Sequence, residues 1–273
     1  MGFFFSVIIP TFNEEKCLPR LLKNLQKQKD KSFEVIVVDA DSQDHTLKLA
    51  NNFINLLPLT ILKAEKRNVS VQRNLGATCA KGKYLVFFDA DVQIPSTYFQ
   101  DLKRQIKKRN LLFVTTYLKA DSPDVQDKAI AQVSSLIIGS SAIFSKPVVP
   151  GYNFVIWKPL FDHTAGFDPE VKFAEDCELA ERLVRMGCRL TVLKHPRLVF
   201  SLRRYRAEGR LVVLRKQAQA GVYILTKGAI TRQLFAYPMG GGWYNNSQKH
   251  AVGSQQLQRA KTSIKKFVKL LLE

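Results

Sequence analysis

Short apolar runs alternate with amphipathic segments in the first third of the chain, and this alternation restricts the fold more than any other feature. The apolar runs are residues 6–9, 35–38, 59–62 and 84–88, each the length of a buried strand and rich in β-branched or aromatic residues. After the first run, the leucines of residues 18–25 follow the i, i+3, i+4, i+7 spacing of one helix face. Strands and helices that alternate in this way predict an α/β fold with a largely parallel central sheet and helices on both faces.

The pattern is less regular in the rest of the chain. Residues 111–117 predict a further strand, residues 175–186 a helix, and residues 203–225 a cationic helix. Residues 129–144 contain no charged side chain, but they are too few to span a membrane. Two interpretations of this segment stay open: a buried helix, or a helix that lies in a membrane interface.

The charge of the chain restricts its partners. Its 42 lysines and arginines outnumber 23 acidic residues, which gives a formal net charge of +19. Such an excess attracts polyanions, a class that includes nucleic acid, anionic membrane surfaces and phosphorylated substrates. Basic residues stand next to apolar ones in residues 203–215 and 259–273, which indicates either contact with an anionic membrane or packing on the protein's own core.

The cysteines and the first residues of the chain predict its location. The four cysteines are far apart and form no C-x-x-C pair, which indicates reduced thiols rather than a disulfide framework or a metal site. Residues 3–10 are apolar but lack the basic flank and the cleavage site of a secretory signal. We therefore expect a cytoplasmic protein, with peripheral association at the inner face of the membrane as one interpretation.

Carboxylates follow the predicted ends of two strands. Asp39 and Asp41 follow the second strand, and Asp89 and Asp91 follow the fourth. The carboxyl ends of parallel strands meet at one edge of a sheet, where open α/β sheets bind their ligands. Two carboxylates at i and i+2 suit Mg²⁺ or Mn²⁺, which take further ligands from water and substrate phosphates. A solvated turn is the simpler explanation of one such pair, but their combination predicts chemistry on a diphosphate.

Six segments in the same order resemble family-2 glycosyltransferases with the GT-A fold. They are residues 7–15 (VIIPTFNEE), 37–46 (VVDADSQDHT), 72–76 (QRNLG), 88–91 (FDAD), 166–168 (GFD) and 175–179 (EDCEL). The resemblance covers about residues 7–187 and implies transfer of a sugar from a nucleoside diphosphate sugar, usually with inversion at the anomeric carbon. One departure is Asp41, because the family usually has glycine after the second strand.

The resemblance also implies which residues surround the donor. Those implied for the nucleotide and its diphosphate are Pro10, Thr11, Asn13, Glu14, Asp39, Asp41, Arg67, Arg73, Asp89 and Ala90. Among them, Asp39 would accept a hydrogen bond from a uracil-like base, which favours a UDP-sugar. Asp91, together with Asp89, would hold the Mn²⁺ or Mg²⁺ that bridges the diphosphate.

For catalysis, the resemblance implies that Asp176 is the general base and that Glu175 lies beside it. Acidic residues are favoured in any first helical turn, so a helix cap is the simpler interpretation of this pair by itself, whereas its combination with the other motifs favours catalysis. If the acceptor is a polyprenyl phosphate, its oxygen is already anionic and no base is needed. Arg73 is either a phosphate contact or an ordinary surface residue of its helix.

The chain divides by these patterns into a catalytic domain and a basic extension. We expect a GT-A domain at residues 1–200, with a nucleotide-sugar half at about 1–92 and an acceptor half at about 93–200, followed by a basic helical extension at 201–273. The expected partners are a nucleotide sugar and a glycan or lipid-linked acceptor. A basic nucleic-acid-binding α/β protein is the alternative of another class, but acidic residues at the strand ends would repel a phosphate backbone, so no nucleic acid is expected.

Overall fold

The structure is a computed structural model that describes residues 2–242. Its strands are β1 (Phe5–Thr11), β2 (Phe33–Asp39), β3 (Leu59–Lys63), β4 (Tyr84–Phe87), β5 (Phe113–Ala120), β6 (Phe154–Trp157) and β7 (Thr191–Phe200). Its α-helices are α1 (Leu18–Gln26), α2 (Thr46–Asn51), α3 (Val69–Cys79), α4 (Tyr98–Arg109), α5 (Val125–Ser141), α6 (Lys158–His163), α7 (Glu175–Arg185), α8 (Arg203–Glu208) and α9 (Arg210–Lys227). A 3₁₀ turn spans Gly151–Asn153.

Within the described residues, seven strands form one sheet in the order β3-β2-β1-β4-β6-β5-β7. β1 pairs in parallel with β2 and β4, β2 with β3, and β5 with β7, whereas β6 is antiparallel to β4 and β5. The predicted α/β fold with a largely parallel sheet is therefore confirmed. The sequence does not predict β6, because its four apolar residues, between irregular segments, have the pattern of any short buried stretch.

Helices cover both faces of the sheet, as predicted. Successive side chains of a strand point to opposite faces. In β1, Val7 and Ile9 accordingly join one hydrophobic cluster, and Ile8 joins the other. The first cluster includes the buried leucines of α1, and the second includes Ala77 of α3. The amphipathic spacing of residues 18–25 thus predicts the covered face correctly.

The second half of the chain departs from the sequence expectations in two places. The cationic helix expected at residues 203–225 is two helices, because Gly209 adopts a φ of +95° between α8 and α9. The interpretation of residues 129–144 as a buried helix is wrong, because the outer side chains of α5 are exposed. No helix within residues 2–242 has the length and apolarity that a membrane crossing requires. The basic and apolar segment 259–273 lies outside the described residues.

The strands end where the acidic residues begin. Thr11 and Asp39 are paired at the ends of β1 and β2, and β4 ends two residues before Asp89. Because these strands are parallel neighbours, their carboxyl ends share one edge of the sheet. This edge holds the candidate site.

Candidate active site

The carboxylate of Asp39 ties together the ends of the first two strands. Its Oδ2 accepts hydrogen bonds from the hydroxyls of Thr11 (2.8 Å) and Ser42 (2.6 Å), and its Oδ1 accepts from the backbone N–H of Ser42 (2.8 Å). The hydroxyl oxygen of Ser42 accepts in turn from the backbone N–H of Asn13 at 2.8 Å. Pro10 precedes Thr11 in β1 and is partly buried. The predicted nucleotide residues of both strands therefore form one hydrogen-bonded loop pair.

Asp41 belongs to the same loop but points away from it. Its backbone has a φ of +65°, in the left-handed region that favours glycine. Its side chain is exposed and forms an ion pair with Lys63 at 2.9 Å. The loop thus keeps the backbone conformation of the usual glycine, and the structure does not bring the carboxylate of Asp41 to the other acidic groups.

A partly buried guanidinium joins two of the acidic residues. Arg203, the first residue of α8, donates to both carboxylate oxygens of Glu14 at 2.6 and 2.8 Å, and its Nε lies 2.9 Å from Oδ2 of Asp91. Burial raises the pKa of Asp91 to about 7; Arg203 opposes the rise, and the charges of Asp89 and Glu14 add to it. Burial likewise raises the pKa of Glu14. Two carboxylates, those of Glu14 and Asp91, thus share one guanidinium in this cluster.

A second guanidinium, that of Arg73, joins Asp89 to Glu175, the neighbour of the predicted base. Arg73 is only 2% exposed, so the interpretation of it as a surface residue is wrong. Its NH1 lies 2.5 Å from a carboxylate oxygen of Glu175, and its NH2 lies 3.2 Å from Asp89. A Cβ added at Gly151 would lie 2.5 Å from the same NH2, so the backbone of the 3₁₀ turn packs directly on the guanidinium. Arg73 thus holds α3, the end of β4 and α7 around one centre.

Asp176 lies in the first turn of α7, next to this centre. Its Oδ2 accepts from the backbone N–H of Gly151, and its Oδ1 accepts from the N–H of Cys177 at 2.8 Å. Burial raises the pKa of Asp176 to about 7, the neighbouring charge of Glu175 adds to the rise, and Arg73 opposes it. A carboxylate whose pKa lies near neutrality is suited to accept a proton at physiological pH.

Arg73 and Arg203 link acidic residues from different segments of the chain into one region. Burial raises the pKa of the Tyr152 hydroxyl, and the charges of Tyr205, Asp89, Asp176 and Asp91 add to the rise. Ala90 is buried between the two aspartates of its motif. Arg67 is exposed and lies over the ring of Phe12 at 4.3 Å, beside the nucleotide loop. Apart from Asp41, the predicted site residues therefore lie in this region or in the loops beside it.

The donor atoms fit a divalent cation that is shared with a substrate. Within residues 2–242, no three histidine, cysteine or acidic side chains converge to form a metal cage of their own. Asp89 and Asp91 offer hard oxygen ligands, and the carboxylate of Asp89 is partly exposed. Mg²⁺ and Mn²⁺ are commonly held by one or two carboxylates together with waters and phosphate oxygens. The residues present therefore match that kind of site.

Three features of the site are not predicted from the sequence. Arg203 stands in a run of arginines, and no local signal separates it from its neighbours. Tyr152 stacks on Phe200 with ring centroids 4.1 Å apart, in a contact that joins distant segments. Gly241 donates its N–H to the backbone oxygen of Phe12 at 3.1 Å, so the glycine segment 240–242 lies against the nucleotide loop.

The sequence was compared with a family profile and with known proteins. The sequence profile described as Glycosyl transferase family 2 matches residues 6–163. Poly(ribitol-phosphate) beta-N-acetylglucosaminyltransferase TarS from Staphylococcus aureus is 28% identical over 208 residues, which are 73% of this chain and 36% of the relative. Dolichyl-phosphate beta-glucosyltransferase from Dictyostelium discoideum is 34% identical over 115 residues, 37% of this chain and 34% of the relative. The chain thus spans about a third of the length of these relatives.

Solved structures resemble the fold over most of the chain. The crystal structure of S. aureus TarS 1–349 in complex with UDP has a TM-score of 0.61 and 24% identity, and the match covers 74% of this chain and 61% of that one. The mannosyltransferase PcManGT from Pyrobaculum calidifontis, in complex with GDP-Man and Mn²⁺, has a TM-score of 0.64 and 18% identity, with 97% and 81% covered. At these identities the likeness concerns the fold.

Proposed function

Since the chain belongs to glycosyl transferase family 2, we propose that it transfers a sugar from a nucleoside diphosphate sugar to an acceptor hydroxyl, with inversion at the anomeric carbon. The predicted family membership and GT-A fold are confirmed by the family profile and the structural neighbours. The activity rests on one observation above all: Arg73 joins Asp89, at the proposed diphosphate site, to Glu175, beside the proposed base.

For the donor, we propose a UDP-sugar held by the loops that follow β1 and β2. The proposal rests on Asp39, which accepts three hydrogen bonds from Thr11 and Ser42. A carboxylate has about four acceptor positions, so one is left for the N–H of a uracil-like base. Pro10, Asn13 and Glu14 would line the same pocket. The TarS structures that contain UDP and UDP-GlcNAc support this choice, whereas PcManGT is described with GDP-Man.

For the diphosphate, we propose that Asp91 and Asp89 hold Mn²⁺ or Mg²⁺ between them. When bound, the cation supplies Lewis-acid stabilisation of the charge that develops on the leaving diphosphate. Arg203 lies beside both Asp91 and Glu14, and its planar donor pattern matches phosphate oxygens. We propose that Arg203 contacts the diphosphate of the bound donor and that Arg67 does so from the edge of the loop.

For the transfer step, we propose that Asp176 takes the proton of the acceptor hydroxyl. The acceptor oxygen forms the new bond to the anomeric carbon while the bond from that carbon to the diphosphate breaks. The electron pair of the broken bond stays on the nucleoside diphosphate. Gly151 and Cys177 donate backbone hydrogen bonds to the carboxylate and hold it in place, and Glu175 with Arg73 sets its charge environment.

For the acceptor, we propose a glycan or a lipid-linked precursor. The S. aureus relative is named for poly(ribitol-phosphate) and the D. discoideum relative for dolichyl phosphate, so both classes occur among the similar proteins. The second of these supports the alternative of transfer to a polyprenyl phosphate without a base. In this account residues 1–200 form the catalytic domain, residues 201–273 form the basic extension, and the enzyme acts in the cytoplasm.

A panel of nucleotide sugars tests the proposal, with release of nucleoside diphosphate measured with and without Mn²⁺. The wild type is expected to release nucleoside diphosphate from at least one donor, and this release should depend strongly on Mn²⁺. Asp91→Ala is expected to lose the release. Asp101→Ala is the matched control, because Asp101 forms an exposed pair with Arg104 away from the site. Absence of release from every donor would contradict the proposal. Salt-sensitive binding of DNA or RNA that survives in Asp91→Ala would instead favour the nucleic-acid alternative.

A further inference from the structure

The outer side of α5 presents apolar side chains to solvent. Leu136 is 64% exposed, and Val133 and Ile137 on the same side are also exposed. The inner side of the helix packs on the protein through Ala131 and Ile138. The charge-free composition of this helix is therefore not explained by burial in the core.

The neighbouring helix α9 has the same property. Leu211, Val222 and Leu225 are exposed, the last at 69%. Because an α-helix turns by about 100° per residue, these positions lie on one stripe. Val213 and Ala220, on the opposite side of α9, are its buried residues. The apolar stripe of α9 thus faces away from the body of the protein.

Side chains at or near both ends of the two helices connect them. At their N-terminal ends, Nε of Arg210 donates to Asp127 at 3.0 Å. At their C-terminal ends, Nζ of Lys146 donates to the backbone oxygen of Ile224 at 3.0 Å. We use the name α5–α9 face for the exposed side of residues 125–144 together with that of residues 211–225.

The charges around the α5–α9 face are basic. Neither residues 128–146 nor residues 209–227 contain an acidic side chain. Asp127, in the first turn of α5, is buried and paired with Arg206 and Arg210. The basic residues along the two helices and at their ends are Lys128, Lys146, Arg210, Arg215, Lys216 and Lys227. Two of them are paired with acidic residues, Arg210 with Asp127 and Lys216 with Glu208.

One end of the face also carries an aromatic residue between cations. The ring of Tyr223 lies 5.7 Å from the charged groups of both Lys227 and Arg232. Tyrosines beside lysines and arginines are typical of side chains at the boundary between lipid headgroups and acyl chains. An apolar stripe with basic residues and no acidic ones is likewise the pattern of a helix that lies in the plane of a membrane surface.

We propose that the α5–α9 face binds the surface of an anionic phospholipid bilayer, with both helices parallel to the membrane plane. An apolar face can contact several kinds of partner, and the basic charge of this face is complementary to an anionic bilayer. Residues 243–273 carry six lysines and arginines against one acidic residue, so this segment has the same sign of charge as the face. A second copy of the chain would also bring basic residues against basic residues. Anionic headgroups are attracted by the same residues.

The α5–α9 face is connected along the chain to the segment that contacts the proposed base. The chain runs directly from the end of α5 through residues 142–150 to Gly151, whose N–H contacts Asp176. Within this connection, the backbone oxygen of Val149 accepts from the Cys177 thiol at 3.7 Å. A bilayer at the α5–α9 face would therefore lie beside the segment that leads to the proposed base. The membrane proposal itself does not depend on the transfer chemistry.

The test is sedimentation of the full-length protein with vesicles of phosphatidylglycerol and phosphatidylcholine, compared with vesicles of phosphatidylcholine alone. The wild type is expected to bind the anionic vesicles at least about tenfold more tightly, with the difference reduced by salt. The double substitution Leu136→Glu with Leu225→Glu removes two inserted side chains and is expected to weaken binding by about tenfold or more. Leu56→Glu is the matched control, because Leu56 is 54% exposed but lies between α2 and β3, and it should bind as the wild type does.

Four results would overturn the proposal. The first is wild-type protein that does not bind anionic vesicles, and the second is a helix double variant that binds as tightly as the wild type. The third is loss of binding in a full-length Phe267→Glu, Leu271→Glu variant while the helix variant keeps it, which would assign the contact to the segment beyond residue 242. A wild-type dimer that the helix variant converts to a monomer, without vesicle binding, would assign the face to a second copy. Vesicle binding requires no donor sugar, so its failure leaves the proposed transfer reaction untouched.

Discussion

Replacement of Asp176 by asparagine tests the proposed base while nearly preserving the shape of the side chain. The carboxamide oxygen can still accept one of the two backbone hydrogen bonds that Gly151 and Cys177 donate to the carboxylate. It cannot accept the proton of an attacking hydroxyl. General-base catalysis contributes about 10²–10⁴ in rate, so Asp176→Asn is expected to lower kcat by that factor.

The raised pKa of Asp176 gives the expected pH dependence. A base must be deprotonated to act, so activity should rise as the pH rises through its pKa of about 7. With that pKa, the ionised fraction grows from about one in eleven at pH 6 to about ten in eleven at pH 8. The wild-type rate is therefore expected to increase about tenfold across this range, and the remaining activity of Asp176→Asn should lack that increase.

The assay is release of nucleoside diphosphate at saturating donor and Mg²⁺, measured at closely spaced pH values. Saturating metal is needed because Asp91 also has a pKa of about 7, and a bound divalent cation keeps its carboxylate ionised. Asp162→Asn is the matched control, because Asp162 pairs with Lys158 on the exposed side of α6 and should keep wild-type rates. A tenfold rise that persists in Asp176→Asn would show that another group titrates. A variant with nearly full activity would refute the base and favour a phosphate acceptor.

Two further predictions concern stability. Arg73→Met leaves the partly buried carboxylate of Glu175 without its cation and should lower the free energy of unfolding by about 3–5 kcal/mol. Arg104→Met removes an exposed pair and should change the free energy of unfolding by at most about 1 kcal/mol. Equal urea-unfolding midpoints for the two variants would contradict the structural role of Arg73. Gly241→Ala places a Cβ 2.4 Å from the backbone oxygen of Asn13 and should destabilise the protein by about 1–3 kcal/mol. Gly221→Ala, in the middle of α9, places a Cβ where no atom lies within 4 Å and should stabilise the protein by about 0.5–1 kcal/mol. A thermal unfolding temperature that shifts in the same direction for both variants would contradict the packing of the glycine segment.

The fold of the first third of the chain could be predicted well because its signals are local. Each apolar run of strand length, and the leucine spacing of α1, reflects a single strand or helix that packs on the core. The spacing of apolar residues is therefore enough to identify these elements. The acidic pairs come at or directly after the ends of two strands in the sequence. The parallel pairing of these strands with β1 then brings Asp39 and Asp89 to one edge of the sheet. The raised pKa of Asp176 follows from burial and from the charge of Glu175, which is its neighbour in the sequence.

The remaining features depend on contacts between distant segments. The burial of Arg73 requires the backbone of Gly151 and the carboxylate of Glu175 to pack around it, and nothing in its own helix indicates this. Arg203 differs from the other arginines of its run only because the fold places it against Asp91. The exposure of Leu136 could not be predicted from the sequence either. A helix without charged residues has the same composition whether it packs on the protein core or contacts another surface.

Calorimetric titration of UDP in the presence and absence of Mn²⁺ tests the central claim most directly, because it measures whether the strand-end carboxylates form one site with a diphosphate and a metal. The expected result is that Mn²⁺ strengthens UDP binding to the wild type by at least about tenfold and has little effect on its binding to Asp91→Asn. UDP binding of equal strength with and without Mn²⁺, or the same enhancement in Asp91→Asn, would contradict the account.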